Sequence, residues 1–153
     1  MMYAEGDEFI RDFVMRTKSN YERFESGPYE ITQLINSAIG LLIVPQQTQY
    51  DKIVDCMVSA TLLEQLLNSV KTNTYTKKLD LPQIARHLRN SISHAKFEFR
   101  AEKCSLSNEP LQIHSVLFTD KNTKTGELLE MELTVDLIKD FFYAFSDAAS
   151  NVQ

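Results

Sequence analysis

Apolar and polar residues follow two periods along this chain, and the change from one to the other organises it. Between 7 and 25, Phe9, Ile10, Phe13, Val14, Tyr21 and Phe24 recur near helical spacing, with Asp7 and Glu8 suited to an N-terminal turn. "SGPYE" interrupts the pattern, and Pro28 suits the first position of a second helix. There Ile31, Leu34, Ile35, Ala38, Ile39 and Leu42 form the series of one buried face, and Pro45 ends it. The spacing predicts a third helix over about 51–70. It is apolar on most of its circumference (Ile53, Val54, Met57, Val58, Leu62, Leu63, Leu66, Leu67, Val70), as a helix in the middle of a bundle should be. A polar link, "KTNTYTKK", leads to a fourth helix. Asp80 is its expected N-cap, with Pro82 in the first turn and Gln83 three residues after the cap. Leu81, Ile84, Ala85, Leu88, Ile92 and Ala95 make its core side.

After Ala95 the period falls from helical to alternating. Phe97, Phe99 and Ala101 alternate with Lys96, Glu98, Arg100 and Glu102, the pattern of a half-buried strand. Residues 112–118 are β-prone, Leu129, Met131 and Leu133 alternate with Glu130 and Glu132, and "TDKNTKTGE" between them reads as a turn. A last helix over about 135–149 carries Leu137, Ile138, Phe141, Phe142 and Phe145 on its inner side. The expected fold is therefore mainly α. It is an up-and-down bundle of about five helices, with a small antiparallel hairpin or sheet inserted before the last helix at about 96–134. With 153 residues, a single domain spanning 1–153 is the natural expectation.

Composition narrows the classes. An apolar fraction of 43% with 24% charged residues is that of a soluble globular domain rather than a disordered chain. The N-terminus, "MMYAEGDEF", has no basic-then-apolar signal, and no apolar run reaches membrane-spanning length, so a soluble, cytoplasmic protein without a membrane partner is expected. Cys56 and Cys104 stand far apart without nearby Cys or His, which points to reduced thiols rather than a disulfide or a zinc site. The net charge of −5 argues against general coating of nucleic acid. Yet residues 77–103 hold seven Lys/Arg against three acidic residues, while the rest of the chain holds nine against eighteen. A local anionic ligand and a solvated basic face both fit that asymmetry.

The basic segment contains "LRNSISHAKF", residues 88–97, where the helix pattern gives way to the strand pattern. On a helical wheel, His87, His94, Asn90, Arg86 and Arg89 fall opposite the apolar stripe. Asn90 and His94 face the same way, and Arg89 lies roughly 140° from His94. Two such residues act on one phosphate most easily when a second copy of the helix packs nearby about a twofold axis. The types suit RNA cleavage by the ribose's own hydroxyl. An imidazole takes or gives a proton near neutral pH, a guanidinium neutralises charge on the phosphoryl oxygens, and an amide orients ribose or phosphate. No carboxylate cluster with metal-ligand spacing appears, so neither metal nor cofactor is called for. The spacing by itself is a weak signal, because about one shuffled chain of this composition in eight would contain it. An exposed polar helix face also needs no function.

Arg89-Asn90-Ser91-Ile92-Ser93-His94 resembles the signature of the HEPN superfamily (higher eukaryotes and prokaryotes nucleotide-binding): an Arg, a polar residue that is often Asn, and a His after four intervening residues. "RTKSNYE" (16–22), "INSAIGLLIVPQQ" (35–47), "SHAKFEF" running into a hairpin, and "LTVDLIKDFF" also resemble bacterial members, so the likeness covers most of the chain. It implies a dimeric, metal-independent endoribonuclease that leaves a 2′,3′-cyclic phosphate. The active site would lie at the homodimer interface, and the protein would serve as a toxin in a toxin–antitoxin or phage-defence system, with an antitoxin protein as partner. Carried over, Arg89 is the phosphate and transition-state cation, His94 the general acid/base and Asn90 the polar organiser. Arg16, Asn20, Asn36, Arg86, His87 and Lys96 are weaker candidates for binding the RNA. The alternative is a catalytically inactive HEPN-like module for RNA binding or dimerisation, in which Arg89 and Asn90 bond across the dimer and His94 caps the helix end.

Overall fold

The computed structural model describes residues 7–24, 30–45, 47–102 and 112–152. Its elements run α1 (Asp7–Phe24), α2 (Glu30–Ile43), α3 (Gln47–Asp55), α4 (Ala60–Asn68), β1 (Val70–Asn73), α5 (Leu81–Ser93), β2 (Phe97–Glu102), β3 (Gln112–Lys121), β4 (Leu128–Thr134) and α6 (Val135–Asn151). They group into two compact units, one formed by 1–59 with 139–153 and the other by 60–138.

The first unit is helical: α1, α2, α3 and the greater part of α6. Its apolar faces bury Val14, Tyr21, Leu34, Leu41, Tyr50, Ile53, Phe142 and Phe145. Aromatic rings join the helices. Tyr21 meets Phe142 edge-on at 5.1 Å between centroids, and Tyr50 lies 5.7 Å from Phe145. At the surface Lys139 Nζ sits 2.7 Å from Glu30 Oε1, and Lys18 Nζ sits 2.9 Å from Asp147 Oδ1.

The second unit carries a four-stranded antiparallel sheet in the order β1-β4-β3-β2. Alternation along β3 and β4 puts Val116, Phe118, Leu129, Met131 and Leu133 on one buried face, paired across the strands as Val116 with Leu133 and Phe118 with Met131. Helix α5 covers that face with Leu81, Ile84, Ala85 and Leu88. The gap between Leu88, Ser91, Phe118, Asp120 and Met131 is too tight to admit a water. The opposite face is polar. Lys71 Nζ pairs with Glu132 Oε2 at 3.5 Å, Ser115 Oγ donates to Glu132 Oε1 at 2.7 Å, and His114 Nδ1 reaches Ser115 Oγ at 2.9 Å. The Ser115 hydroxyl and then Lys71 hold the Glu132 carboxyl below its ordinary range.

Several expectations are met. Asp80 caps α5, its side chain accepting from Gln83 N at 2.9 Å with Pro82 in the first turn. The β3–β4 turn is closed by Gly126, at φ 77°, donating to Asn122 O at 2.7 Å, and the Asn122 side chain accepts from Lys124 N and Thr125 N. Two expectations are corrected. The helix read over 51–70 is two helices, which makes six in all among the described residues. Tight bonds from Cys56 N to Ile53 O and Met57 N to Val54 O end α3, Val58 is 92% exposed, and Ser59, a type that favours N-caps, directly precedes α4. A stretch that looks apolar all round is thus two shorter helices, each with its own inward side. Likewise, the sheet is not confined to an insertion before the last helix. Val70 and the start of the "KTNTYTKK" link form β1, which precedes α5 and pairs with β4. β1 is short, bulged and at the edge, so its polar residues hid it. The helix start expected at Pro28 and the thiol of Cys104 lie outside the described residues.

Candidate active site

Helix α5 brings most of the predicted residues to one unit, and their surroundings differ along its length. In its middle, His87 and Asn90 turn toward β3. The His87 Nδ1–H donates to Asp120 Oδ2 at 2.7 Å, and Asn90 Nδ2 donates to the same oxygen at 3.2 Å. A carboxylate oxygen only accepts, so this shared partner fixes both groups. His87 carries a proton on Nδ1. Asn90 turns its amide nitrogen inward and so presents its carbonyl oxygen outward. The His87 and Asp120 side chains are each only 11% exposed, so the wheel's placement of His87 on the open side is corrected. Tyr75, just after β1, lays its ring against His87 at 4.5 Å between centroids. Burial and then the Asp120 charge push the Tyr75 phenol above its ordinary value.

At the C-terminal end the picture is different. His94 is the C-cap of α5, at φ −95° and ψ 8°, and it is exposed. Its imidazole makes no hydrogen bond, ion pair or ring contact with any described residue. The turn that presents it is firmly built. Ala95 N donates to Ile92 O at 3.0 Å and Lys96 N to Ser91 O at 2.7 Å, the paired bonds of a Schellman motif. Ala95 takes the left-handed conformation, φ 51°, that this motif needs and that usually falls to Gly. Ser91, buried beneath, donates from its hydroxyl to Lys96 O at 2.6 Å and accepts from Thr119 N at 3.1 Å. The backbone of β3 therefore holds the turn from below. Beside it, an open depression of about 400 Å³ is lined by Ala95, Lys96, Phe97, Glu98, Leu117 and Thr119.

Arg89 is half-buried on α5, whereas Arg86 and Lys96 are exposed. Arg16, Asn20 and Asn36 belong to the first unit, on α1 and α2; Arg16 lies 3.7 Å from Asp12, while Asn20 and Asn36 are exposed. The residues that sequence reasoning missed are Asp120 and Tyr75. Both lie outside the helix that drew attention, and Asp120 stood within a stretch read as turn. Its one signal was an acidic residue at the end of a β-prone run, which says nothing about a partner on α5.

Neither the curated proteins nor the solved structures yield a match to this chain. A family does: the HEPN pEK499 p136 domain matches residues 1–153, the full length, with the Arg-x4-His segment on α5 inside it. The chain belongs to the HEPN pEK499 p136 family.

Proposed function

We propose that this HEPN domain is a metal-independent endoribonuclease, acting as a toxin in a toxin–antitoxin or phage-defence system. The observation that carries the proposal is His94: an exposed imidazole without a partner among the described residues, held on a hydrogen-bonded turn five residues after Arg89. A histidine that serves the fold commits a ring nitrogen to it, as His87 does through Nδ1.

In this reading the ribose 2′-oxygen attacks the adjacent phosphorus, the bond from phosphorus to the 5′-oxygen breaks, and a 2′,3′-cyclic phosphate and a 5′-hydroxyl result. His94 moves a proton at one of those two oxygens, and Arg89 neutralises charge on the non-bridging phosphoryl oxygens. Asn90 presents an acceptor, so its suited partner is a donor such as the 2′-hydroxyl rather than a phosphate oxygen. Lys96, at the rim of the depression beside His94, offers a cation for a flanking phosphate. The matching family supports the HEPN assignment, and the chemistry is read from these residues.

The test is cleavage of several RNA classes in the presence of EDTA by wild type and His94→Ala, with product ends identified. Cutting to 2′,3′-cyclic phosphate ends that disappears in a folded His94→Ala variant is the expected result. One feature favours the second reading, an inactive RNA-binding or dimerisation module: His94 stands at a helix C-terminus, where an imidazolium gains from the macrodipole. That reading expects no cutting, and a His94→Ala variant that loses stability or assembly.

A further inference from the structure

The depression beside the His94 turn begins one residue after the candidate general acid/base, and its floor comes from the sheet. Phe97 pairs with Phe118 and Glu98 with Leu117, while Thr119 N donates to Lys96 O at 2.9 Å. Val116 and Phe118 are buried on the face that α5 covers. By alternation, Lys96 and Glu98 on one side of the ladder and Leu117 and Thr119 on the other share the opposite face. These four side chains make a two-by-two patch. Facing members of such a patch lie about 4.5–5.5 Å apart at Cβ, and diagonal members about 7–8 Å apart. The volume above them, about 400 Å³, falls in the range of small-ligand sites.

The chemistry of the patch is specific. Glu98 is exposed and brings a carboxylate, Leu117 is half-buried and brings an apolar surface, and Thr119 brings a hydroxyl. Neither the Thr119 hydroxyl nor the Lys96 ammonium bonds to a described residue. Arg100 Nη1 lies 3.3 Å from Glu98 Oε1. Such an exposed pair costs little to rearrange, and it does not saturate a carboxylate, whose two oxygens offer about four acceptor positions. A carboxylate accepts hydrogen bonds and donates none, so a ligand edge that faces Glu98 has to carry N–H groups.

Among the four RNA bases that requirement selects one. The Watson–Crick edge of guanine carries two adjacent donors, N1–H and N2–H, beside the acceptor O6. Adenine and cytosine each put a single exocyclic donor next to a ring acceptor, and uracil puts its N–H between two carbonyls. Where guanine offers Glu98 a second proton, each of the others offers a lone pair, and a lone pair against a carboxylate is left unsatisfied.

We propose that this depression is a guanine subsite. Glu98 accepts from N1–H and N2–H, the Thr119 hydroxyl donates to O6, and Leu117 packs under the ring. An unstacked base in single-stranded RNA presents this edge freely. The position of the depression, directly after His94, puts that guanosine beside the phosphodiester that is cut, with Lys96 left to a flanking phosphate. The place of the cut rests on the nuclease reading, whereas recognition of the base is read by binding alone.

The experiment titrates the four nucleoside 5′-monophosphates into the isotope-labelled full chain, follows backbone amide shifts by NMR, and maps the cut sites of wild type on mixed-sequence RNA. GMP is expected to shift the amides of 95–98, 117 and 119, and to bind roughly tenfold to a hundredfold tighter than AMP, CMP or UMP. Inosine monophosphate, which lacks the N2 amine, should fall between. Glu98→Gln keeps the size of the side chain but loses the charge and one acceptor oxygen. It should lose the preference for GMP while binding AMP as wild type does, and Thr119→Val should lose part of that preference. The same spectra verify that each variant is folded. Cuts should fall beside guanosine, always on the same side of it. Equal shifts or no shift with all four nucleotides, a GMP preference that survives Glu98→Gln, or cuts indifferent to guanosine would overturn the proposal. Selective GMP binding by a protein that cuts no RNA would support the subsite and overturn the nuclease reading instead.

Discussion

The middle and the end of helix α5 treat the same residue type in opposite ways. His87 is nearly buried, bonded through Nδ1 to Asp120 and faced by Tyr75. Two turns later His94 stands exposed, its ring committed to nothing among the described residues. In the middle, side chains serve the fold. At the end, the backbone and Ser91 hold the turn, and the His94 side chain stays exposed. The difference shows why a count of polar residues on a helix wheel misleads: what matters is which of them the neighbouring strand has already engaged.

Substitutions along α5 sharpen or break that contrast. The largest effect is expected at His94. Under the nuclease reading His94→Ala loses about 10²–10⁴-fold in cleavage rate, while its urea midpoint stays close to wild type. A large drop in stability would erase the distinction between the two ends. Asp120→Ala should act on the fold first, because it strands the His87 Nδ1–H and the Asn90 amide. A loss of about 2–3 kcal/mol in chemical denaturation is expected. Ser91→Ala removes one donor and one acceptor beneath the turn, and should cost about 1–2 kcal/mol by the same measurement. Ala95→Gly runs the other way. Relief of the left-handed strain outweighs the added freedom of the unfolded chain, for a gain of about 0.5 kcal/mol in thermal or urea unfolding.

The smallest effect at neutral pH is that of Tyr75. Its phenol is raised in the folded state above the ordinary 10.0 by burial and by Asp120, so the neutral form is the one the fold favours. That contribution is complete below pH 10.0 and is lost as pH rises through the higher folded value. Tyr75→Phe should therefore flatten the alkaline fall in stability seen by pH-dependent denaturation.

Local chemistry was legible in the sequence where one segment carries the whole signal. The Asp80 cap, the periods of α1, α5 and α6, the switch to alternation at Phe97 and the turn around Gly126 all rest on neighbouring residues. What depends on distant partners was not. The break after Asp55 was hidden because two inward faces, laid end to end, look like one helix apolar all round. β1 was hidden because a four-residue edge strand needs β4 to be recognised. For the same reason Arg89, Asn90 and His94 were visible as a motif, whereas Asp120, thirty residues beyond Asn90, became visible only through the hydrogen bond that joins them.

Helix α5 passes into β2 through a turn whose backbone is bonded at almost every step, from Asn90 O to Thr119 N. This makes the segment intolerant of length changes. One residue inserted between Ser93 and Phe97 would either break the Schellman bonds or pass the extra residue on to the strand, and a strand moved by one residue exchanges its faces. Phe97 and Phe99 would then stand where Glu98 and Arg100 stand now. By contrast, the turn at 122–127 joins two strands whose register their own ladder maintains, and a residue added there has somewhere to go. Chains descended from a common ancestor with this one should therefore vary in length after Lys121 and keep a fixed count from Arg89 to Phe99.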